Sequence, residues 1–241
     1  MVLFGTLLAR RPDISVPTVL YAQGDMILMT RGAGQHLPPP HHPVAALDLL
    51  LASFIYTSCL HGIAHGDMHL GNFLVSPDNR VCLLDFGLVL TVDRYDENPF
   101  VLFVKAKLCC TASDVRQFLC CISCITDGTT PTTPALVQSI QEIFQYTRFQ
   151  GFEALDPITE MVRKHGCILQ TTNTMYLGQY SLLYSYYTSC KKRRHSEVVY
   201  ALKIVSTLCV SVLERNWVRR FLDTMMCLEI GFHADATRKT S

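Results

Sequence analysis

Three residues in this sequence have the types and the spacing to do chemistry together: Asp67, Asn72 and Asp85. Asn72 stands immediately before Phe73-Leu74-Val75, and Asp85 immediately after Val81-Cys82-Leu83-Leu84. These are two β-forming runs joined by Ser76-Pro77-Asp78-Asn79, whose Pro and Asn suit a turn. Closing that antiparallel pair brings residues 72 and 85 to the same open end. A carboxylate beside an amide oxygen suits Mg²⁺, which takes few protein ligands and completes its shell with water and phosphate oxygens. Asp67 lies five residues upstream of Asn72, on the tight loop entering the hairpin. There it can orient a hydroxyl or accept its proton.

The neighbouring residues sharpen the pattern. His65-Gly66-Asp67-x-His69-x-x-Asn72 is followed, thirteen residues after Asn72, by Asp85-Phe86-Gly87. Phosphoryl-transfer sites use this order: a catalytic Asp, a metal-binding Asn five residues on, then Asp-Phe-Gly. His69 has two readings of equal weight, a phosphate-facing side chain and a structural loop histidine. His65 is expected to pack beneath Asp85 and buttress the loop, and Gly87 to supply backbone freedom beside the metal. A rival reading takes His65, Asp67 and His69 as alternating ligands of a hydrolytic metal on one side of a strand. It leaves the hairpin and Asp85-Phe86-Gly87 without a purpose.

Positioning these residues falls to a few elements. Thr18–Tyr21 and Met26–Thr30 are β-formers around Gln23-Gly24-Asp25, hence a hairpin. Arg31 to Pro43 holds two glycines and four prolines and propagates neither helix nor ladder. A boundary is therefore expected there, with a small β unit over 1–34, a larger unit over 35–233 and a frayed tail over 234–241. From Val44, Leu47, Leu50, Leu51, Phe54 and Ile55 recur at helical spacing. After Gly87 the pattern predicts helices over 98–125, 134–149 and 155–188, then two over 196–230 joined near Arg215, with a loop at 126–133. Tyr176, Tyr180, Tyr184, Tyr186 and Tyr187 are mostly helix-spaced and expected in the core or an interface.

Composition bounds the rest. With 241 residues, 49% apolar residues and a net charge of +1, the chain can bury a sizeable core and is neither a disordered tail nor a broadly basic nucleic-acid binder. Eleven cysteines, an odd number, and an opening segment too short and too basic for a secretory signal suggest a reducing, intracellular and cytoplasmic setting. Cys109-Cys110 and Cys120-Cys121-x-x-Cys124 have no nearby histidine and read as buried helical cysteines, not as a zinc site. The apolar runs Val44–Leu60 and Val198–Leu213 contain Asp48 and Lys203 and fall short of the roughly 20 residues a bilayer needs. No transmembrane span is expected. The basic run Lys191-Lys192-Arg193-Arg194-His195 reads first as a solvated loop and second as a nuclear signal or an anionic-lipid patch, which leaves peripheral membrane association open.

The stretch around residues 65–87 resembles the UbiB-like (AarF-domain) atypical kinases and, more distantly, the aminoglycoside and choline kinases. Val16-Pro17-x-Val19, Ile27-Leu28-Met29-Thr30 and Gly34-x-x-Leu37 are similar to that family's last N-lobe strands and hinge. Leu88–Asp114 is similar to the segment after its Asp-Phe-Gly. The resemblance implies an α+β, protein-kinase-like fold with a truncated N-lobe and a mainly α-helical C-lobe. It implies ATP and Mg²⁺ as cofactors, Asp67 and His69 as catalytic, and Asn72 and Asp85 on the metal. The nucleotide would touch Met29 and Arg31 at the hinge as well as Asn72 and Asp85. A small-molecule or lipid-linked acceptor, in coenzyme Q metabolism, is the implied substrate class.

The chain also departs from the family. No Lys precedes Lys105, no Glu precedes Glu97, and no Lys-x-Gly-Gln signature is present, so the phosphate-gripping Lys–Glu pair cannot be built from the N-terminal part. Thr30 stands where the hinge usually has an acid, and no Ala-Pro-Glu follows Asp85-Phe86-Gly87 at the usual distance. Arg10 and Arg11 are the phosphate-facing cations considered, although Arg does not mimic a Lys point charge. Three readings remain: a fragment or late start of a longer kinase, a pseudokinase acting as an interaction module, and a site completed by a protein partner.

Overall fold

The computed structural model describes residues 1–36, 43–124, 133–147, 154–189, 203, 205–209 and 211–238. Helix α1 (Val2–Leu8) buries Phe4 and Leu8, four residues apart on one face, and Phe4 meets the ring of Phe86 at 4.8 Å. Strand β1 (Ile14–Ser15) follows. Then β2 (Val19–Gln23) and β3 (Met26–Met29) form the expected hairpin, turned at Gly24, whose φ of 55° an L side chain resists.

Helix α2 (Val44–Ile55) is apolar on nearly every side and is buried from Ala46 to Ile55. It continues into a single π-turn, Tyr56–Leu60, in which Ser58 and Thr57 bond carbonyls four residues back at 2.6 and 3.0 Å. Those bonds allow hydroxyls to sit in the core. The π-turn delivers the chain to β4 (Ile63–His65). After it come β5 (Phe73–Val75), β6 (Val81–Leu83) and β7 (Val89–Thr91).

Strand pairing sets up the site. β5 and β6 are antiparallel with Phe73 opposite Leu83, and β1 adds to β6 in parallel. β4 pairs with β7, His65 opposite Val89. Residues 66–72 and 84–88 are thus two connections between the same two ladders. They must run side by side.

The helical remainder comprises α3 (Pro99–Cys109), α4 (Ala112–Ile122), α5 (Pro134–Tyr146), α6 (Leu155–Lys164), α7 (Thr171–Ser189) and α8 (Val212–Arg238). Strands β8 (Ser123–Cys124) and β9 (Ile168–Leu169) make a small clip between them. Several boundaries differ from expectation for local reasons. The single helix expected over 98–125 stops at Cys110, which turns left-handed at φ 55°, and Thr111 caps the next helix. The run expected over 155–188 is cut at Gly166, φ 76°, and β9 intervenes. Helix α8 opens not near Arg215 but after Ser211. Ser211 and Glu214 form a reciprocal capping box there, with bonds of 2.9 and 3.1 Å. It runs to Arg238, into the segment expected as a frayed tail. Cys109 and Cys120 are exposed, and Cys110 and Cys121 half-buried, so the paired cysteines are not the buried set expected. The 126–132 part of the expected loop, the basic run 191–195 and Pro38–Pro40 lie outside the described residues. So do residues 196–202 of the next expected helix.

A polar knot ties α2, α3 and α7 together beneath the ladders. The Tyr176 hydroxyl lies 2.7 Å from Ser58 Oγ and 3.0 Å from Asn98 Oδ1, and the Tyr180 ring stacks on Phe100 at 4.0 Å. Complete burial pushes both phenols well above their ordinary pKa, so they remain neutral donors. Asn98 caps α3 by accepting the Phe100 N–H at 3.0 Å and donates to the Asp93 carbonyl at 2.7 Å. Asn98→Ala removes the cap and strands buried partners, so the expected loss is about 3 kcal/mol in urea unfolding. An unchanged midpoint would show that the knot contributes nothing.

Candidate functional site

His65 is the centre of the two connections. It is buried, its Nδ1 accepts the Asp67 N–H at 3.2 Å, and its Nε2 lies 2.8 Å from the Leu84 carbonyl. A ring nitrogen that accepts and one that faces a carbonyl together specify the neutral tautomer with its proton on Nε2. The ring therefore holds the residue that begins one connection to the residue that precedes Asp85 in the other. Burial pushes its pKa below the ordinary 6.5. The Leu84 contact and the charges of Asp67 and Asp85 oppose that shift. The expected packing beneath the Asp85 segment is what the structure has, with Phe86 5.0 Å away, ring to ring.

Asp67 and Asn72 are in direct contact. Asn72 Nδ2 donates to the Asp67 carbonyl at 2.9 Å and to its Oδ2 at 3.1 Å, which leaves the amide oxygen as the atom able to hold a cation. The Asn72 carbonyl in turn accepts the Leu84 N–H at 2.8 Å, which extends the β5–β6 ladder by one rung and places Asp85 at the same end. Asp85 is left-handed at φ 45°, a conformation that costs an L residue about 1–2 kcal/mol. Its Oδ1 accepts the Gly87 N–H at 3.0 Å, and a Cβ on Gly87 would come within 3.1 Å of that oxygen.

His69 has a more definite place than either reading of the sequence. Nδ1 accepts the Gly71 N–H at 3.0 Å, and Nε2 stands 3.4 Å from Asp67 Oδ2 with both side chains half-exposed. Gly71 is required for this: a Cβ there would lie 2.8 Å from the His69 ring. Gly66 is required too, since its Cβ would lie 2.5 Å from Leu88 Cγ. The metal triad of His65, Asp67 and His69 fails, because both His65 nitrogens serve the backbone. Among the described residues no group of three or more His, Cys, Asp or Glu side chains could hold a metal ion.

Residues 3–118 match the model of the ABC1 atypical kinase-like domain, and both connections lie inside the match. That segment is thus similar to the UbiB-like atypical kinase family. No solved structure matches the chain. The fold is accordingly α+β and kinase-like, with a truncated N-lobe and a mainly helical remainder.

The segment expected as the hinge lies along the β5–β6 hairpin. Gln35 and Val75 exchange both backbone hydrogen bonds at 3.0 Å, and a Cβ on Gly32 would touch Cys82, Leu74 and Leu84 at 3.0–3.1 Å. Met29 and Arg31 lead into this contact with exposed side chains. Arg11 is not the phosphate-facing cation considered from sequence. Its guanidinium pairs with both Asp13 oxygens and reaches Thr207 at 2.9 Å, and it holds the Asp13 carboxyl below the usual range.

One residue escaped sequence reading altogether. Gln179 on α7 accepts the N–H of Met68, between Asp67 and His69, at 2.7 Å. Tyr186 approaches the Met68 carbonyl at 3.5 Å. Both lie outside the family match, and no local spacing signals a contact across 111 positions.

The His65 bridge has a pH signature. Its folded pKa is below its unfolded one, so the native state resists protonation. Its contribution is complete above about pH 6.5 and lost as pH falls through the folded value. Unfolding free energies from pH 8 to 5 are expected to fall more steeply for the wild type than for His65→Asn. Parallel curves would contradict the bridge.

Proposed function

We propose that the chain binds Mg²⁺–ATP at the end of the β5–β6 hairpin and acts as a UbiB-type phosphotransferase or ATPase. The observation that carries this reading is the Asn72 amide, whose nitrogen is tied to Asp67, so that its oxygen is the donor available at the hairpin end from which Asp85 follows. An amide oxygen and a carboxylate are hard donors that fit Mg²⁺. When bound, the ion neutralises charge on the nucleotide phosphates. Asn72 Oδ1 and Asp85 hold it, and Asp67 orients the acceptor hydroxyl or water and takes its proton. His69, with its Nε2 proton toward Asp67, keeps that carboxylate aimed and receives charge at the phosphate side. Met29 and Arg31 flank the nucleotide base and ribose from the hinge. The 1–34 segment serves as N-lobe remnant and 35–233 as C-lobe. The acceptor is a small or lipid-linked hydroxyl compound in an intracellular setting.

A second reading, a nucleotide-binding pseudokinase that serves as an interaction module, is favoured by one observation. Arg11 is committed to Asp13, and residues 1–96 contain no Lys and no Glu to grip phosphate.

Thermal unfolding of the purified chain with ATP and Mg²⁺ tests binding, and ATP hydrolysis tests turnover. Stabilisation that Asp85→Asn abolishes supports the metal assignment, while no response in either protein refutes it. Asp67→Asn should retain binding and lower turnover by about 10²–10⁴-fold if the chain is an enzyme. Binding without turnover in the wild type selects the pseudokinase.

A further inference from the structure

A cavity of about 400 Å³ opens between α6 and α7, against the end of α4, and none of its described lining residues belongs to the proposed nucleotide site. Its apolar part is Ile122, Leu155, Leu177 and Leu182. Among the described residues, the polar part of the lining is one carboxylate, Asp156, and the hydroxyls of Thr159, Thr174, Ser181 and Ser185, with no Lys, Arg or His.

Two of the hydroxyls are biased toward accepting. Thr159 donates to the Asp156 carbonyl and Thr174 to the Gln170 carbonyl, each at 2.8 Å. A hydroxyl that has given its single proton to the backbone has lone pairs left for anything else. The cavity therefore combines acceptors, one negative charge and an apolar floor. Gly178 keeps it open, since a Cβ there would meet nothing within 4 Å. A primary ammonium on an aliphatic stem is the complementary ligand: three donors and one positive charge for the wall, methylenes for the floor.

We propose that this groove is a binding site for a small primary alkylammonium compound. The site is independent of the nucleotide reading, although α7 serves both. Gln179, the residue after Gly178, holds the Met68 N–H on another side of the helix.

Isothermal titration of the full chain with n-hexylammonium chloride tests the proposal, with hexan-1-ol and sodium hexanoate as comparators. Saturable binding of hexylammonium is expected, with hexanol roughly tenfold weaker or worse and hexanoate inert. Asp156→Asn, an exposed and nearly isosteric change, should weaken hexylammonium by about tenfold. Gly178→Leu should abolish binding with the far-UV circular dichroism unchanged. No saturable binding, equal affinity for hexanol, or full affinity in Asp156→Asn would each overturn the assignment.

Discussion

The geometry of the site depends on one buried imidazole. His65 ends β4, and its two nitrogens reach the backbone of Asp67 on one side and of Leu84 on the other. Each bond contributes only about 1 kcal/mol net, and losing the ring would also leave the half-buried Asp67 N–H and Leu84 carbonyl without it, at a further cost of roughly 1 kcal/mol each. The same ring packs on Phe86, which packs on Phe4, so α1 is joined to the connection that carries Asp85. Two loops that the ladders merely place side by side are thereby fixed in register. Asp85 can then be held left-handed, because the residues before and after it are bonded.

Support from outside the family match completes the arrangement. Helix α7 holds the Met68 N–H through Gln179 and is itself anchored by the knot of Tyr176, Tyr180, Ser58 and Asn98. The knot fixes the π-turn, the π-turn sets the start of β4, and β4 presents His65. Structural order thus passes from the helical core outward to the loop. The N-terminal side contributes differently: β1 extends the hairpin sheet and residues 32–35 lie along it, yet Arg11 there is neutralised by Asp13. The loops that carry Asp67, Asn72 and Asp85 are held by hydrogen bonds on both connections.

The hairpin was legible because it is local: a turn sequence between two β-forming runs fixes its own register. The hydrogen bonds from Asn72 to Asp67 were not, because a five-residue spacing places both on one loop without saying which atoms meet. Helix ends were harder. Cys110 and Gly166 stop helices through left-handed backbone, and a cysteine carries no such signal. Helix α1 is too short to display a period. Gln179 was out of reach, since a side chain that caps one distant N–H leaves no trace in spacing. The fate of Arg11 was decided by Asp13, two residues on, a pairing of opposite charges that the sequence already holds.

The central claim is that a divalent cation, with nucleotide, sits between the Asn72 amide oxygen and Asp85. Paramagnetic Mn²⁺ added with ATP to the chain carrying ¹⁵N-labelled asparagine tests it most directly. Selective broadening of the Asn72 side-chain NH₂ signals is predicted, with Asn98 and Asn173 left sharp and the effect lost in Asp85→Asn. Broadening that spares Asn72, or that survives in Asp85→Asn, would contradict it.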